Sequence, residues 1–583
     1  MDTSRRLMAA TKPSFRELFT PKLITALREG YGLADFRADL IAGLTVAIVA
    51  LPLSTAIAIA SGVTPDRGLY AAVVGGFLVS ALGGSRFQIG GPAGAFIVLV
   101  MLSVQRHGID GVLLATFMAG MILVVAGFLQ IGTYVKFIPY PVTVGFTAGI
   151  AVIIFASQIK DLLGIELAKE PGPFIPKLEA LAQALPTMNF YALGVALTAI
   201  VLIVGLKKLR PNWPGLLIAV AVTAALVWGF SLPVATIGTK FGGIPESFPL
   251  PSWPAFSTAK VIEMLPDAIA FALLGSIESL LSAVVADGMT GRRHRSNCEL
   301  VAQGFANMGS ALFGGICVTG AIARTATNIR TGARTPIAGM LHSMFLLLFM
   351  LVAAPLASYI PLATLAAVLA IVAWNMAEKH EFATLVRSSR GDAVVVLATF
   401  LLTVFRDLTE GIVVGFALGA VLFIHRMSEV TGVEAYSGLA QEDRADEGGK
   451  RRGPAADLAL VTDPDVVVYR ITGAFFFGAA ATVTSVLNNI ADRHKVFVVD
   501  FAAVPLLDST AANAIYRVAL SAQRKRIKLI ITGASPTVRR ALLTHGVKPP
   551  LAQYRADIAS AVDEVKGKTA AAEETSSPQP ASA

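Results

Sequence analysis

Between Asp39 and Ile424 the chain is a succession of apolar runs joined by short polar loops, a pattern that only a bilayer accommodates. Two of these runs are interrupted at corresponding places. The first interruption is Gly-Gly-Ser-Arg-Phe-Gln-Ile-Gly-Gly-Pro-Ala-Gly, from Gly83 to Gly94; the second is Phe-Gly-Gly-Ile-Cys-Val-Thr-Gly-Ala-Ile-Ala-Arg, from Phe313 to Arg324. Each leads into an apolar stretch too short to cross a membrane alone. Irregular backbone at membrane depth occurs only where it is buried in protein or lines a cavity, because hydrocarbon offers no hydrogen-bond partners. One such break in each half marks a midplane site where two half-helices converge. Helix N-termini carry partial positive charge and unpaired N–H groups, so the implied ligand is an anion.

The rest of the composition agrees with a membrane setting. Of 583 residues, 55% are hydrophobic and 15% charged, against about 25% charged in soluble domains. The net charge of +9 sits in short loops between apolar runs, which fits loops beside anionic lipid and excludes a nucleic-acid reading. The spans read as Asp39–Ala60, Gly68–Leu82, the short piece Pro92–Val104, Gly111–Gln130, Pro139–Ile159, Tyr191–Leu206 and Pro214–Phe230. A Pro-rich stretch, Ser231–Pro254, precedes Leu265–Ala286, Leu300–Ile316, the short piece Ala321–Ile329, Pro336–Leu356, Pro361–Trp374, Asp392–Phe405 and Ile412–Ile424. The expected fold is thus a polytopic α-helical membrane protein of 14 spans, a 7+7 inverted repeat with two short half-helices. The clusters Lys207-Lys208-Leu209-Arg210, Arg292-Arg293-His294-Arg295, Arg330 with Arg334, Arg387 with Arg390, and His425-Arg426 then share one side with the N-terminus. Positive loops mark that side as cytosolic, in a bacterial-type inner membrane; Lys160 and Lys240 fall opposite.

The organisation reads as a cytosolic N-terminal segment over residues 1–38 without the apolar core of a signal peptide, a transport domain over 39–426 with halves 39–230 and 265–426, and a charged linker over 427–464. Residues 465–566 then alternate strand and helix, a small cytosolic α/β domain. Its strands are expected near Val466–Ile471, Val496–Phe501 and Ile527–Thr532, and its helices near Thr482–Asp492, Ser509–Arg524 and Ser535–Thr544. The tail 567–583, rich in Ala, Ser, Pro and Glu, reads as disordered. Cys298 and Cys317 form no disulfide or zinc pattern, and His107, His294, His342 and His425 stand singly. No nucleophile–base pair or phosphate loop stands out, so the pattern speaks against an enzyme and calls for no cofactor or metal.

Candidate site residues follow from cost. Glu278 lies deep in an apolar span, where a carboxylate needs a cavity, a partner or a neutralising cation, and it is the candidate for coupling to a proton or sodium ion. The competing reading is a helix-packing carboxylate bonded to Ser279 and Ser282. Arg324, at the second half-helix, adds a full positive charge to the helix terminus, unless it snorkels to the cytosol with Arg330 and Arg334. Pro92, Ala93 and Gly94 at the first half-helix, and Ala321, Ile322 and Ala323 at the second, are the candidates to present N–H groups to the anion. Ser54 and Thr55, after Pro52, offer two hydroxyls or simply follow a proline kink. Ser509 and Thr510 read as helix caps.

Several of these segments together resemble the sulfate permease (SulP) family of anion transporters: Leu51-Pro52-Leu53, Gly91-Pro92, Asp287-Gly288-Met289-Thr290-Gly291, Ser296 through Gly304, and Ala323-Arg324-Thr325-Ala326-Thr327-Asn328. Val504-Pro505-Leu506-Leu507-Asp508-Ser509-Thr510 is similar to the STAS domain that such carriers bear, and the likeness of Asp508-Ser509-Thr510 to the segment phosphorylated in related soluble regulators implies Ser509 and Thr510 as regulatory phosphate acceptors. The resemblance implies a core moving against a gate, an anion held between the half-helices, a homodimer, and a cytosolic partner for the STAS-like domain. It also implies that Glu278 matches an acidic position tied to cation coupling. Relatives commonly carry Ser-Gly-Pro-Thr where this chain has Gly90-Gly91-Pro92-Ala93, so two hydroxyls are missing. The implied substrate is sulfate. A C4-dicarboxylate, through likeness of Val372–Met376 to dicarboxylate carriers of that family, and bicarbonate are the alternatives, with an uncoupled anion conductor or a STAS-mediated sensor as other classes.

Overall fold

The structure, a computed structural model, describes residues 14–167, 170–210, 213–245, 247–406, 408–435, 466–480 and 495–564. The chain divides into two compact units, Met1–Gly419 and Ala420–Ala583. Among the described residues eight helices are long and apolar enough to cross a membrane.

In the first unit, helix α1 is Leu33–Ala60, followed by α2 (Pro65–Tyr70), a π-helical turn (Ala71–Gly75) and α3 (Gly76–Leu82). Strand β1 (Gly90–Gly91) precedes α4 (Phe96–Phe128), α5 (Tyr140–Leu163), α6 (Phe190–Leu209) and α7 (Gly215–Gly229). Then come α8 (Thr258–Thr290), α9 (Ser296–Leu312), strand β2 (Thr319–Gly320), α10 (Ile322–Arg330), α11 (Ile337–Ala357), α12 (Leu362–Met376), α13 (Arg390–Phe405) and α14 (Leu408–Glu429), whose last turns belong to the second unit.

Several helices outrun the apolar runs that announced them. Helix α1 starts six residues before Asp39, and α8 starts at Thr258, where the Ser257 hydroxyl accepts the Lys260 N–H (3.3 Å), rather than at Leu265. Hydropathy records the length that hydrocarbon covers, whereas the hydrogen-bonded helix continues into the polar interface. The pieces expected at Pro92–Val104 and Gly111–Gln130 contribute most of their residues to one helix, α4, and are separated at Gly108, whose φ of 67° and ψ of −173° are not helical. Pro92 itself precedes the first helical turn instead of occupying it, because α4 opens at Phe96 with bonds from the N–H of Phe96 to Ala93 O and from Ile97 to Gly94 O (3.1 Å each).

Glycines set the distances between helices. A Cβ on Gly120 of α4 would lie 2.6 Å from the carbonyl oxygen of Gly304 on α9, and a Cβ on Gly304 equally close to that of Gly120. Gly145 of α5 stands in the same relation to Val396 O of α13, at 2.5 Å. Gly411 and Gly415 of α14 seat against the hydroxyls of Thr403 and Thr399. In lipid, where apolar helices gain no hydrophobic drive to associate, this backbone proximity supplies the packing energy. Two sets of helices result: α9 and α8 lie along α4 and α11 along α1, while α12 and α13 lie along α5 and α7 along α6.

The second unit holds a five-stranded sheet in the order β3 (Gly432–Ala435), β4 (Val466–Thr472), β5 (Val496–Ala503), β6 (Lys528–Thr532), β7 (Gln553–Arg555), with only the β3–β4 pair antiparallel. Strand β3 lies inside the stretch expected to be linker. The helix expected at Thr482–Asp492 and the tail lie outside the described residues. Helices α15 (Ser509–Arg524) and α16 (Pro536–Thr544) complete the unit. Phe497, Phe501, Leu529 and Ile531 pack with Ile515, Val518 and Leu542 on one face, and Val498 and Ile530 with Ile558 and Val562 on the other. Burial on both faces is what a parallel arrangement requires.

Glu564 joins the ends of β6 and β7. It bonds Lys528 Nζ (3.1 Å) and Arg555 Nε (2.6 Å), and the lysine contact foremost holds its carboxyl down at about 2. A carboxyl depressed on folding stabilises the fold above its unfolded value and loses that contribution as pH falls towards the folded one. Lowering the pH of the full-length protein from about 5 to about 3 should therefore speed amide exchange in β6 and β7, after correction for intrinsic rates. Glu564→Gln should make exchange in these strands fast already at the higher pH; a native-like profile in that variant would refute the assignment.

Candidate functional site

The two Gly-rich interruptions meet. Gly90 pairs with Gly320 and Gly91 with Thr319 in an antiparallel bridge, and the N–H of Ala321 donates to Ile89 O (2.9 Å). Each short strand leads to a helix, β2 into α10 through Ala321 alone and β1 into α4 through Pro92, Ala93, Gly94 and Ala95. Neither helix start has a side-chain cap: Ala95 and Ala321 stand at the capping positions, where Ser, Thr, Asp or Asn would otherwise accept N–H bonds. The crossing thus delivers two helix N-termini with donors left for a ligand.

Arg324 does not snorkel. It is 1% exposed, and its Nη2 donates to Ser54 Oγ and to Pro92 O, both at 3.2 Å. Arg334, by contrast, pairs with Asp35 at 2.8 Å. The Arg324 Nε and Nη1 are buried without a hydrogen-bond partner, an arrangement that costs several kcal/mol, on the order of a lost charged hydrogen bond, unless a ligand or water completes it. Gly91 makes room for the guanidinium, since a Cβ there would lie 2.3 Å from Nη1.

Of the predicted residues, Ser54, Pro92 and Arg324 are brought into direct contact. Ala93 is buried and Gly94 half-buried at the start of α4, while Ile322 and Ala323 are exposed and Ala321 half-buried at the start of α10. Thr55 turns away: its hydroxyl donates to Leu51 O (3.2 Å) and Pro52 O (2.9 Å) of its own helix. Glu278 is on α8, one turn before Ser282, whose hydroxyl donates to Thr325 Oγ1 of α10 at 3.1 Å. The serines are engaged elsewhere, Ser279 with Gln88 (2.7 Å) and Ser282 with Thr325, and Glu278 Oε2 is buried with no hydrogen-bond partner.

Sequence reasoning passed over the residues that hold the crossing in place. Asn307 of α9 accepts the N–H of Val318 (2.9 Å) and donates to its carbonyl (2.8 Å), so one amide replaces a missing strand. Thr325 accepts the N–H of Ile89 (3.1 Å), and Asn328 donates to Phe87 O (2.9 Å). Glu299, fully buried on α9, accepts from the interruption itself. The available signal was the polar stripe Glu299, Gln303, Asn307, spaced by four on a membrane helix. In the second unit, Asp508 caps α15 by accepting the Ala511 N–H (2.8 Å), so the cap is neither Ser509 nor Thr510, both exposed in the first turn.

Comparison with known proteins identifies the family and the fold. Residues 36–399 match the sulfate permease family and residues 457–561 the STAS domain. The chain is 42% identical over 507 residues to "Putative sulfate transporter YvdB" of Bacillus subtilis (strain 168), covering 87% of this chain and 93% of that protein. It is 31% identical over 535 residues to the bicarbonate transporter BicA of Picosynechococcus sp., covering 87% and 90%. The solved structure of the murine Slc26a9 anion transporter in its inward-facing state superposes with a TM-score of 0.80 over 96% of each chain; at 18% identity this is a likeness of fold.

If Gly91 exists to admit the guanidinium, Gly91→Ala should displace Arg324 and weaken anion binding about tenfold while the protein still folds. Thermal stabilisation of the detergent-solubilised protein by a series of small oxyanions reads this; an unchanged half-saturation would show that the close approach is incidental.

Proposed function

The chain belongs to the sulfate permease family, and we propose that it works as a secondary active carrier that brings sulfate into the cell together with a proton or a sodium ion. One arrangement carries the reading: two uncapped helix starts are brought together by the β1–β2 bridge, where the Arg324 Nη2 reaches Pro92 O and its Nε and Nη1 are buried without a partner. An oxyanion supplies acceptors to both kinds of donor at once. The N–H groups after Pro92 and those of Ile322 and Ala323 bind it, Arg324 supplies the fixed charge, and Ser54 orients Arg324; the Ala321 N–H is spent on Ile89 O and takes no part. Thr55 takes no part.

Coupling follows from charge. A dianion entering beside a lone buried carboxylate meets repulsion that low dielectric does little to screen. A proton or sodium ion on Glu278 removes that repulsion, so cation and anion favour each other's binding and travel together. A passive conductor would gain nothing from such a group. The cycle proposed is the family's: a 7+7 inverted repeat in which one helix set (α1–α4, α8–α11) shifts against the other (α5–α7, α12–α14), in a homodimer with both termini cytosolic. The separate packing of α9 and α8 on α4 and of α12 and α13 on α5 supports this division. Ser509 and Thr510, exposed beside the Asp508 cap, are the proposed acceptors of a regulatory phosphate; phosphopeptide mapping that finds both unmodified in all growth conditions removes the idea.

Bicarbonate is the second reading, favoured by the likeness to BicA and by Gly90 and Ala93, which leave fewer hydroxyls than a large oxyanion would use. Uptake of labelled sulfate and bicarbonate into proteoliposomes, under inward proton or sodium gradients, decides between them. Gradient-driven sulfate uptake is expected in the native protein and its loss in Glu278→Gln. Uptake indifferent to both gradients and to that substitution would sink the coupled mechanism.

A further inference from the structure

Glu299 is a fully buried carboxylate of the first unit that the proposed transport cycle leaves unused. It sits on α9, 0% exposed. Its Oε2 accepts two consecutive backbone donors, the N–H of Gly84 (2.8 Å) and of Ser85 (3.1 Å), and its Oε1 accepts from Gln303 Nε2 (3.3 Å). Residues 84 and 85 open the first Gly-rich interruption. The segment hanging from this carboxylate is the one that passes through β1 and presents Pro92 O to Arg324.

We propose that Glu299 is a positioning residue for the anion site, fixing from α9 the path of the segment that places the start of α4 against Arg324. The inference rests on the anion site being where the preceding section puts it. The path has no slack near its anchor: a Cβ on Gly84 would lie 2.1 Å from Arg295 O, and one on Gly83 3.1 Å from Glu299 Oε2. Midway, the side chain of Gln88 passes so close under Gly320 that a Cβ there would be 1.8 Å from Nε2, and it ends on Ser279 Oγ. Ser279 also faces the Glu299 carboxylate and directly follows Glu278. One buried group therefore braces the interruption at its beginning and, through Ser279 and Gln88, ties it to the helix that bears Glu278. Glu299 itself touches no anion; as an acceptor already filled by three donors it has nothing to offer one.

The role depends on acceptor geometry, which separates the informative substitutions. Glutamine at 299 keeps an oxygen for Gly84 and Ser85, and its NH2 can meet Gln303 Oε1, which has no partner now. Alanine leaves two buried N–H groups without an acceptor and releases the segment. Uptake kinetics in proteoliposomes, normalised to folded protein, should show Glu299→Ala raising the KM of the transported anion about tenfold with the gradient dependence kept. Glu299→Gln should restore KM to within about twofold of native. Should Glu299→Ala fail to assemble, Glu299→Asp, which withdraws the carboxylate by one methylene, should raise KM about threefold or more. A native KM in Glu299→Ala or Glu299→Asp, with only yield or Vmax reduced, overturns the proposal in favour of a purely structural group. Loss of gradient dependence in Glu299→Gln overturns it as well, making Glu299 a cation-exchanging residue. Glu278→Gln, run alongside, reports separately on the coupling reading, whose failure would leave the KM comparison at Glu299 standing.

Discussion

The requirement that every backbone N–H and C=O be satisfied away from water governs the rest of this molecule. Two chain segments abandon helical geometry in the interior, and each must find partners that a helix would have supplied. They find them first in each other, through the Gly90–Gly320 and Gly91–Thr319 bridge, and then in side chains: Asn307, Thr325, Asn328 and Glu299. Two strands of two residues would be negligible in water. In a dry interior, where an unmade hydrogen bond costs about 1–3 kcal/mol, they are decisive.

From that crossing the electrostatics follow. Bringing two helix starts together without caps concentrates partial positive charge, and Arg324 adds a whole one beneath them. Glu278, one turn from the Ser282–Thr325 contact, introduces the opposing charge on the neighbouring helix. Neither group forms an ion pair with the other among the described residues, and the Glu278 Oε2 and the Arg324 Nε and Nη1 are buried without a hydrogen-bond partner.

The sequence made much of this legible. Paired glycine-rich breaks announced the crossing, Arg324 and Glu278 stood out as charges in apolar runs, and the alternating pattern after residue 465 announced the sheet, down to the limits of Ser509–Arg524. Less legible were the helix ends, because hydropathy follows lipid and not hydrogen bonding. The polar braces Glu299, Asn307 and Thr325 went unread because their partners are backbone groups of segments up to 236 residues away, which no local pattern contains. Thr55 and Ser54 illustrate the same limit: adjacent hydroxyls, one turned onto its own helix and the other onto Arg324.

By itself, then, the sequence determined the solvent of each region, the two breaks and the residues too costly to be idle, because these depend on hydrophobicity and charge along the chain. Tertiary structure alone decided which of those residues meet. Whether Arg324 snorkels or is buried, whether Glu278 has a partner, and which residue caps α15 all depend on what another part of the chain places opposite, at ångström precision set by close-packed glycines.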